Sequence, residues 1–291
     1  MHNGMIKIIT GVRRCGKSYL LFELFKQSLL ENGVNEEHII QVDLEDRRNK
    51  HLREPDRLLD HIDGHITDND MYYILLDEIQ LVPEFEDVLN SYLKIKNTDV
   101  YVTGSNSRML SSDVKTEFRG RGYEIRVHPL SFSEFMSVFK GDKYMGLSEY
   151  MLYGGIPLVV LRESSSDKAA ALQNLFSEIY IRDIFKRNRI KNIGELEDLL
   201  NILSSAIGSL TNPEKLKNTF KTVKKSKITS KTIKKYLDCF EDSFLMNQHR
   251  DMTSRVRHIL KLQRNTISLI LGFAMQGLTS VSLSRHIPWK M

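Results

Sequence analysis

Eight residues near the start of the chain have the types and spacing of a phosphate-binding loop. They read G-V-R-R-C-G-K-S and fit the pattern G-x-x-x-x-G-K-[ST], in which each fixed residue has its own task. Gly11 and Gly16 permit the tight turn that brings backbone N–H groups up to phosphate oxygens. Lys17 supplies a positive charge for the β and γ phosphates, and the Ser18 hydroxyl is a ligand for Mg²⁺. The pattern predicts a site for a nucleoside triphosphate. Its expected contacts are Gly11, Val12, Arg13, Arg14, Cys15, Gly16, Lys17, Ser18 and Tyr19.

The predicted loop lies between a predicted strand and a predicted helix. Residues 5–10 are mostly apolar, and residues 19–25 carry apolar side chains at helical spacing. The positive end of the helix dipole favours an anion at this position. This context favours the phosphate loop over an ordinary glycine-rich turn, which is the alternative interpretation. Beside Lys17 and at a helix N-terminus, the thiolate form of Cys15 is also expected to be favoured.

A pair of acids, Asp77 and Glu78, follows an unbroken apolar run at 71–76. Such a run is typical of a parallel strand buried on both faces. Ligands of nucleotide-binding sheets lie beyond the carboxyl ends of the strands, so we expect both acids in the same crevice as Lys17. Asp77 would hold Mg²⁺ together with Ser18, and Glu78 would orient and deprotonate an attacking water. Capping of the following helix is the alternative role for the two acids.

Two later segments offer further groups for the same chemistry. A predicted strand at 99–103 ends in G-S-N-S, where Asn106 or Ser105 would position the water, although these four residues also suit a plain turn. Before the next predicted strand, Arg121 or Arg119 would reach the phosphates of a neighbouring subunit as an arginine finger. Solvation at the surface is the alternative for both arginines.

Composition indicates a soluble globular protein. The 291 residues are 41% hydrophobic and 27% charged, which is enough for two domains. The net charge of +5 permits an acidic partner, either a phosphate ligand or a nucleic acid. The only cysteines are Cys15 and Cys239, which excludes a disulfide framework. The longest apolar stretch, 267–278, is too short to span a bilayer, so we expect no membrane segment and a cytoplasmic location.

Six motifs, taken in order, resemble those of a known family. They are G-V-R-R-C-G-K-S at 11–18, L-L-D-E-I-Q at 75–80, T-G-S-N-S at 103–107, G-R at 120–121, P-L-S-F-S-E-F at 129–135 and Y-G-G-I-P at 153–157. This series resembles the prokaryotic AAA-type ATPases that pair a P-loop core with a C-terminal domain of unknown function. The resemblance covers about residues 5–245.

The resemblance implies an α/β fold with a parallel sheet in the strand order 5-1-4-3-2, a helical lid and a small winged-helix-like segment. It implies ATP rather than GTP, and Mg²⁺-dependent hydrolysis to ADP and phosphate coupled to conformational change. Asp77 would then hold Mg²⁺, Glu78 would be the base, and Arg121 would be the finger in a homo-oligomer. The expected domains are an AAA-type core at 1–128, a lid at 129–191, a winged-helix-like segment at 192–245 and an aberrant tail at 246–291.

A basic face is predicted on the helix at 230–242. One side of this helix is apolar, and lysines occupy another side and the segment at 215–227 before it. The apolar residues are Ile233, Tyr236, Leu237 and Phe240, and the helix lysines are Lys231, Lys234 and Lys235. In a helix-turn-helix these lysines would contact DNA phosphates, whereas a solvated basic face is the alternative.

Three functional classes follow from these patterns. An ATP hydrolase is the first, and an ATP-dependent switch on a nucleic-acid-binding module with little intrinsic hydrolysis is the second. A P-loop kinase or GTPase is the third. Glu78 argues against a kinase because a kinase should not activate water. The segment N-K-H-L at 49–52 lacks the Asp of a guanine-reading N-K-x-D.

The tail at 246–291 departs from the family, in which a strand-rich second domain is expected. One permitted choice of codons for 271–291, read from the third nucleotide, spells G-F-C-N-A-G-I-N-F-R-Q-F-E-P-T-H-S-M-E-N. This reading resembles a stretch of that domain. We therefore expect a truncation or frameshift near residue 245, which genomic resequencing would test, and assign no function to the tail.

Overall fold

The structure is a computed structural model that describes most of the chain. The described residues are 4–104, 118, 121–176, 184–185, 188, 190, 192–205, 213–224, 228–243, 246–250 and 258–262. The chain divides into two compact units, Met1–His128 and Pro129–Met291. Over the described ranges, no helix combines the length and apolar character needed to cross a membrane.

A five-stranded parallel sheet forms the centre of the first unit. The strands are β1 (Ile6–Thr10), β2 (Ile39–Asp43), β3 (Tyr72–Asp77), β4 (Thr98–Thr103) and β5 (Gly122–Arg126). Their order across the sheet is β2-β3-β4-β1-β5. Read from the other edge this is 5-1-4-3-2, so the predicted order is confirmed. All six residues of β3 are buried, as its unbroken apolar sequence predicts.

Helices cover both faces of this sheet. One face packs against a helical segment made of α1 (Lys17–Tyr19), the π-helix Leu20–Phe25 and α2 (Lys26–Glu31). The other face packs against α3 (Pro55–Asp63) and α4 (Phe85–Tyr92). The chain crosses from β1 to β2 in one direction and from β2 to β4 in the opposite direction. Right-handed crossovers therefore place these helices on opposite faces.

Short 3-10 helices complete the first unit. They are Glu36–His38, Arg47–Arg53 and Ile79–Leu81. Two of them begin at a capping side chain, since Asn35 accepts from the Glu37 N–H and Asp46 accepts from the Arg48 N–H. Ile79–Leu81 begins directly after the acids that end β3, so it fixes the path of the chain at the edge of the sheet.

The described part of the second unit is mainly helical. Its helices are α5 (Phe132–Val138), α6 (Lys143–Tyr153), α7 (Pro157–Val160), α8 (Ser165–Asn174), α9 (Ile193–Ser205), α10 (Pro213–Thr219) and α11 (Ser230–Asp242), with the π-helix Phe220–Lys224 after α10. The helix predicted at 230–242 is confirmed as α11. Its four apolar residues belong to the core of this unit, while Lys231, Lys234 and Lys235 are exposed.

Two strands follow α11. They are β6 (Met246–Arg250) and β7 (His258–Leu262), and they pair in antiparallel register. Residues 271–291, to which the expected frameshift applies, lie outside the described residues.

Candidate functional site

The predicted phosphate loop connects the carboxyl end of β1 to α1. Gly11 and Gly16 have φ angles of 149° and 96°, in the region that favours glycine. A Cβ atom on Gly11 would lie 2.1 Å from the carbonyl oxygen of Val127, which follows β5. The backbone therefore requires glycine at both fixed positions of the motif.

Lys17 is held inside this loop by backbone oxygens. Its Nζ donates to the carbonyl oxygens of Gly11 at 3.2 Å and Val12 at 3.1 Å. The residue is only 5% exposed although it carries a charge. Hydrogen bonds from a buried ammonium group to carbonyl oxygens offset its loss of hydration. The loop thus keeps a positive charge at the edge of the sheet where the acids end β3.

Three residues from separate segments meet at this edge. The Ser18 hydroxyl donates to Asp77 Oδ2 at 2.7 Å. The Thr103 hydroxyl donates to Asp77 Oδ1 and accepts a hydrogen bond from the Glu78 N–H at 2.9 Å. The phosphate loop and the acid that ends β3, which were predicted to share one crevice, are therefore in direct contact. Thr103 was missed as a site residue, although its place at the end of the strand beside β3 was a usable signal.

Burial and nearby charges set the electrostatics of Asp77. Burial raises the pKa of the Asp77 carboxyl, and the neighbouring carboxylates of Glu78 and Asp43 raise it further. The hydrogen bonds from Thr103 and Ser18 act in the opposite direction. Asp43 ends β2 in register with Asp77 and was not identified from the sequence. Oxygen ligands and negative charge at one edge fit a hard divalent cation such as Mg²⁺.

Asp77→Asn is expected to leave the protein at least as stable as the wild type near neutral pH. A carboxyl whose pKa is raised on folding contributes most stability when protonated, and that contribution is lost as pH rises through the folded pKa. The amide of the variant does not titrate, so the variant does not lose this stability as pH rises. Thermal melts should show the largest advantage of the variant near neutral pH and a smaller one under acid conditions. Added Mg²⁺ should raise the melting temperature of the wild type more than that of the variant. A variant that melts well below the wild type near neutral pH would contradict this account.

Cys15 differs from the sequence-based expectation. Burial raises the pKa of the Cys15 thiol, and the nearby Lys17 charge lowers it by less. The Sγ atom lies 3.7 Å from the Val127 carbonyl oxygen. The expectation of a favoured thiolate was wrong because the loop excludes water from this side chain.

The remaining predicted contacts are placed as follows. Arg13 forms an exposed ion pair with Glu45 at 3.5 Å, Arg14 has a φ of 65°, and Tyr19 is 62% exposed. Arg121 is exposed, and its backbone N–H donates to the Phe118 carbonyl oxygen at 2.8 Å. Three candidates lie outside the described residues, namely Asn106, Ser105 and Arg119.

Two family models match this chain. A model described as an AAA domain matches residues 3–136. A model described as a domain of unknown function, DUF8612, matches residues 145–266. The second match extends beyond residue 245, where the resemblance based on motifs was expected to end.

Two curated relatives are similar over most of this chain. An uncharacterized protein of Haemophilus influenzae is 33% identical over 262 residues, which cover 88% of this chain and 65% of the relative. An uncharacterized protein of Methanocaldococcus jannaschii is 28% identical over an alignment 295 positions long, which covers 96% of this chain and 62% of the relative. The chain therefore spans less than two thirds of the length of these relatives.

The solved structures matched by this chain include two proteins. The Aeropyrum pernix ORC2 protein, solved as ADPNP-ADP complexes, is 11% identical with a TM-score of 0.45, covering 94% of this chain and 89% of its own. Cdc6p from Pyrobaculum aerophilum is 12% identical with a TM-score of 0.39, and the match covers 95% of this chain and 90% of the Cdc6p chain. Both scores are low, so the fold is assigned from the strand order of the chain itself.

Proposed function

Because the chain contains an AAA domain at residues 3–136 followed by a domain of unknown function at 145–266, we propose that it is a Mg²⁺-dependent ATPase. The hydrogen bond from Ser18 to Asp77 is the observation that carries this proposal. It joins the phosphate loop to Asp77, the last residue of β3, and Glu78 is the next residue in the chain. A hydroxyl and a carboxylate at 2.7 Å are close enough to share one cation.

Each residue of the site has a distinct task in this proposal. The loop N–H groups and Lys17 bind the phosphate oxygens, and Ser18 and Asp77 would hold Mg²⁺. When bound, Mg²⁺ neutralises charge that develops on the phosphates. Glu78 accepts a proton from water as the water oxygen bonds to the terminal phosphorus. The bond from that phosphorus to the bridging oxygen breaks, and ADP leaves with both electrons of the bond.

Two further residues complete the proposed reaction. Asn106 follows β4 in the sequence and would hydrogen-bond the attacking water. Arg121 is exposed immediately before β5 and would reach the phosphates bound by a neighbouring copy in a homo-oligomer. ATP hydrolysis would drive conformational change in the helical lid at 129–191 and the winged-helix-like segment at 192–245. We place this activity in the cytoplasm.

Phosphate release tests the ATPase proposal. Wild-type protein with ATP and Mg²⁺ should release phosphate steadily, and Lys17→Ala should release little because the variant binds ATP poorly. The rate per molecule should rise with protein concentration if Arg121 acts between subunits, and Arg121→Ala should remove that rise. Wild-type protein that binds no ATP in calorimetry would overturn the proposal.

A nucleic-acid-binding switch is the second candidate function. It is supported by α11, whose buried face fixes Lys231, Lys234 and Lys235 on the exposed side. The Lys235 Nζ also donates to the Asn188 carbonyl oxygen at 3.4 Å. With the lysines of 215–227, this face would contact DNA phosphates, and ATP would control that contact with little hydrolysis.

DNA binding should depend steeply on salt if this second function operates. Each phosphate neutralised adds about 0.9 to the slope of log affinity against log salt. Replacing Lys231, Lys234 and Lys235 together by Gln should weaken binding to random duplex DNA and reduce this slope. The matched control, Lys140→Gln with Lys143→Gln, alters exposed lysines of the same unit. It should change neither the affinity for DNA nor the salt slope. Equal slopes for both variants and the wild type would exclude this role for α11.

A further inference from the structure

The mechanism above does not use the amide beside Glu78. Gln80 lies in the 3-10 helix Ile79–Leu81, and its Nε2 donates a hydrogen bond to Glu78 Oε2. Its Oε1 is buried and accepts no hydrogen bond from any residue that the structure describes. A buried amide oxygen with no donor is costly and rare in native proteins. This atom therefore points to a hydrogen-bond donor that Gln80 meets when the protein functions.

The orientation of the Gln80 amide follows from the charge on Glu78. Rotating the amide by half a turn would set its oxygen against a carboxylate oxygen, and two acceptors repel. Nε2 therefore remains hydrogen-bonded to Glu78 Oε2, and Oε1 lies on the other side of the Gln80 amide carbon. The orphaned acceptor thus lies next to the carboxylate that serves as the proposed base.

The backbone around the two side chains is firmly held. Glu78 has a φ of 54°, and its N–H donates to the Thr103 hydroxyl oxygen at 2.9 Å. Its carbonyl oxygen accepts from the Leu81 N–H at 3.0 Å, and the side chain of Ile79 is fully buried. This tight turn brings residue 80 back beside residue 78. The contact between the amide and the base is therefore a consequence of the fold at the end of β3.

We propose that Gln80 is a positioning residue for ATP hydrolysis. Nε2 holds the Glu78 carboxylate in one orientation, and Oε1 accepts one O–H of the attacking water while Glu78 accepts the other. With both hydrogens engaged, a lone pair of the water oxygen is directed at the terminal phosphorus. The proton on Glu78's side moves to Glu78 as the new O–P bond forms and ADP leaves. This inference rests on the proposed ATPase function and adds a second acceptor to its base.

Gln80→Met tests the role because Met has a similar length and forms neither hydrogen bond. The kcat for ATP hydrolysis should fall about 10- to 100-fold, with KM and the Kd for ATP unchanged. The melting temperature should not fall, since the wild type already leaves one amide oxygen unsatisfied. Gln27→Met is the matched control. Gln27 is exposed, and its Nε2 donates to Glu31 Oε1 at 2.8 Å, so this variant should hydrolyse ATP at the wild-type rate.

Two further measurements make the result decisive. Gln80→Met added to Glu78→Gln should lower the rate little further, because both residues act on one water. Affinity for ADP with aluminium fluoride, which mimics the phosphoryl group in transfer, should weaken in Gln80→Met while affinity for ADP alone does not. Unchanged or faster hydrolysis by Gln80→Met, or a joint loss of ATP binding and melting temperature, would overturn the inference. A wild type that binds ATP but releases no phosphate would instead overturn the ATPase proposal. In that case, the affinity of Gln80→Met for ADP with aluminium fluoride would still test the role of Gln80.

Discussion

Glu78→Gln is expected to lower the rate of ATP hydrolysis by about 10²- to 10⁴-fold while ATP still binds. The amide keeps the shape of the carboxylate but cannot accept the proton of the attacking water. Lys17, Ser18 and Asp77 are unchanged, so the phosphates and Mg²⁺ keep their proposed ligands. Phosphate release at saturating ATP measures the first effect, and calorimetry with ATP measures the second.

Glu37→Gln is the matched control for this prediction. Glu37 is exposed in the 3-10 helix Glu36–His38, away from the carboxyl ends of the strands, so its substitution should alter neither quantity. A Glu78→Gln protein that hydrolyses ATP at close to the wild-type rate would assign the base to another group. A variant that no longer binds ATP would mean that Glu78 acts on binding rather than on the chemical step.

Lys7→Met is expected to destabilise the protein by about 3–5 kcal/mol. Lys7 Nζ and Asp99 Oδ1 form an ion pair between β1 and β4, and both side chains are about 5% exposed or less. Removing the ammonium group leaves the Asp99 carboxylate buried with the Tyr101 hydroxyl, which donates to Oδ2 at 3.0 Å. Hydrogen bonds from neutral groups do not replace a full positive charge in a water-poor site. Urea denaturation followed by circular dichroism would measure the loss.

Two further variants separate the buried charge from other causes. Lys7→Met with Asp99→Asn removes the stranded charge and should recover more than half of the lost stability. Lys26→Met breaks the exposed ion pair between Lys26 and Glu36, and should cost less than about 1 kcal/mol. If the double variant is as unstable as Lys7→Met alone, the loss comes from packing rather than from the buried charge of Asp99.

Local pattern correctly predicted the loop between β1 and α1 and the strand that ends at Asp77. The phosphate loop was identified from spacing, because each of its fixed residues has a backbone or chemical requirement that few other residues meet. The strand ending at Asp77 was identified from an unbroken apolar run, because burial on both faces removes polar residues from such a strand. The order of the strands came from the resemblance to a known family, since spacing along a chain does not specify which strands are neighbours.

Sequence alone therefore determined the phosphate loop, the strands with their terminal acids, and the amphipathic helix at 230–242. Tertiary structure alone decided that Thr103 bridges Asp77 and Glu78, that Asp43 lies in register with Asp77, and that Gln80 donates a hydrogen bond to Glu78. It also reversed the expectation for Cys15, because burial outweighed the charge of Lys17. The physical reason is that hydrogen-bond partners and access to water depend on neighbours that are distant in the chain. The spacing of residue types along one segment reflects only the structural requirements of that segment.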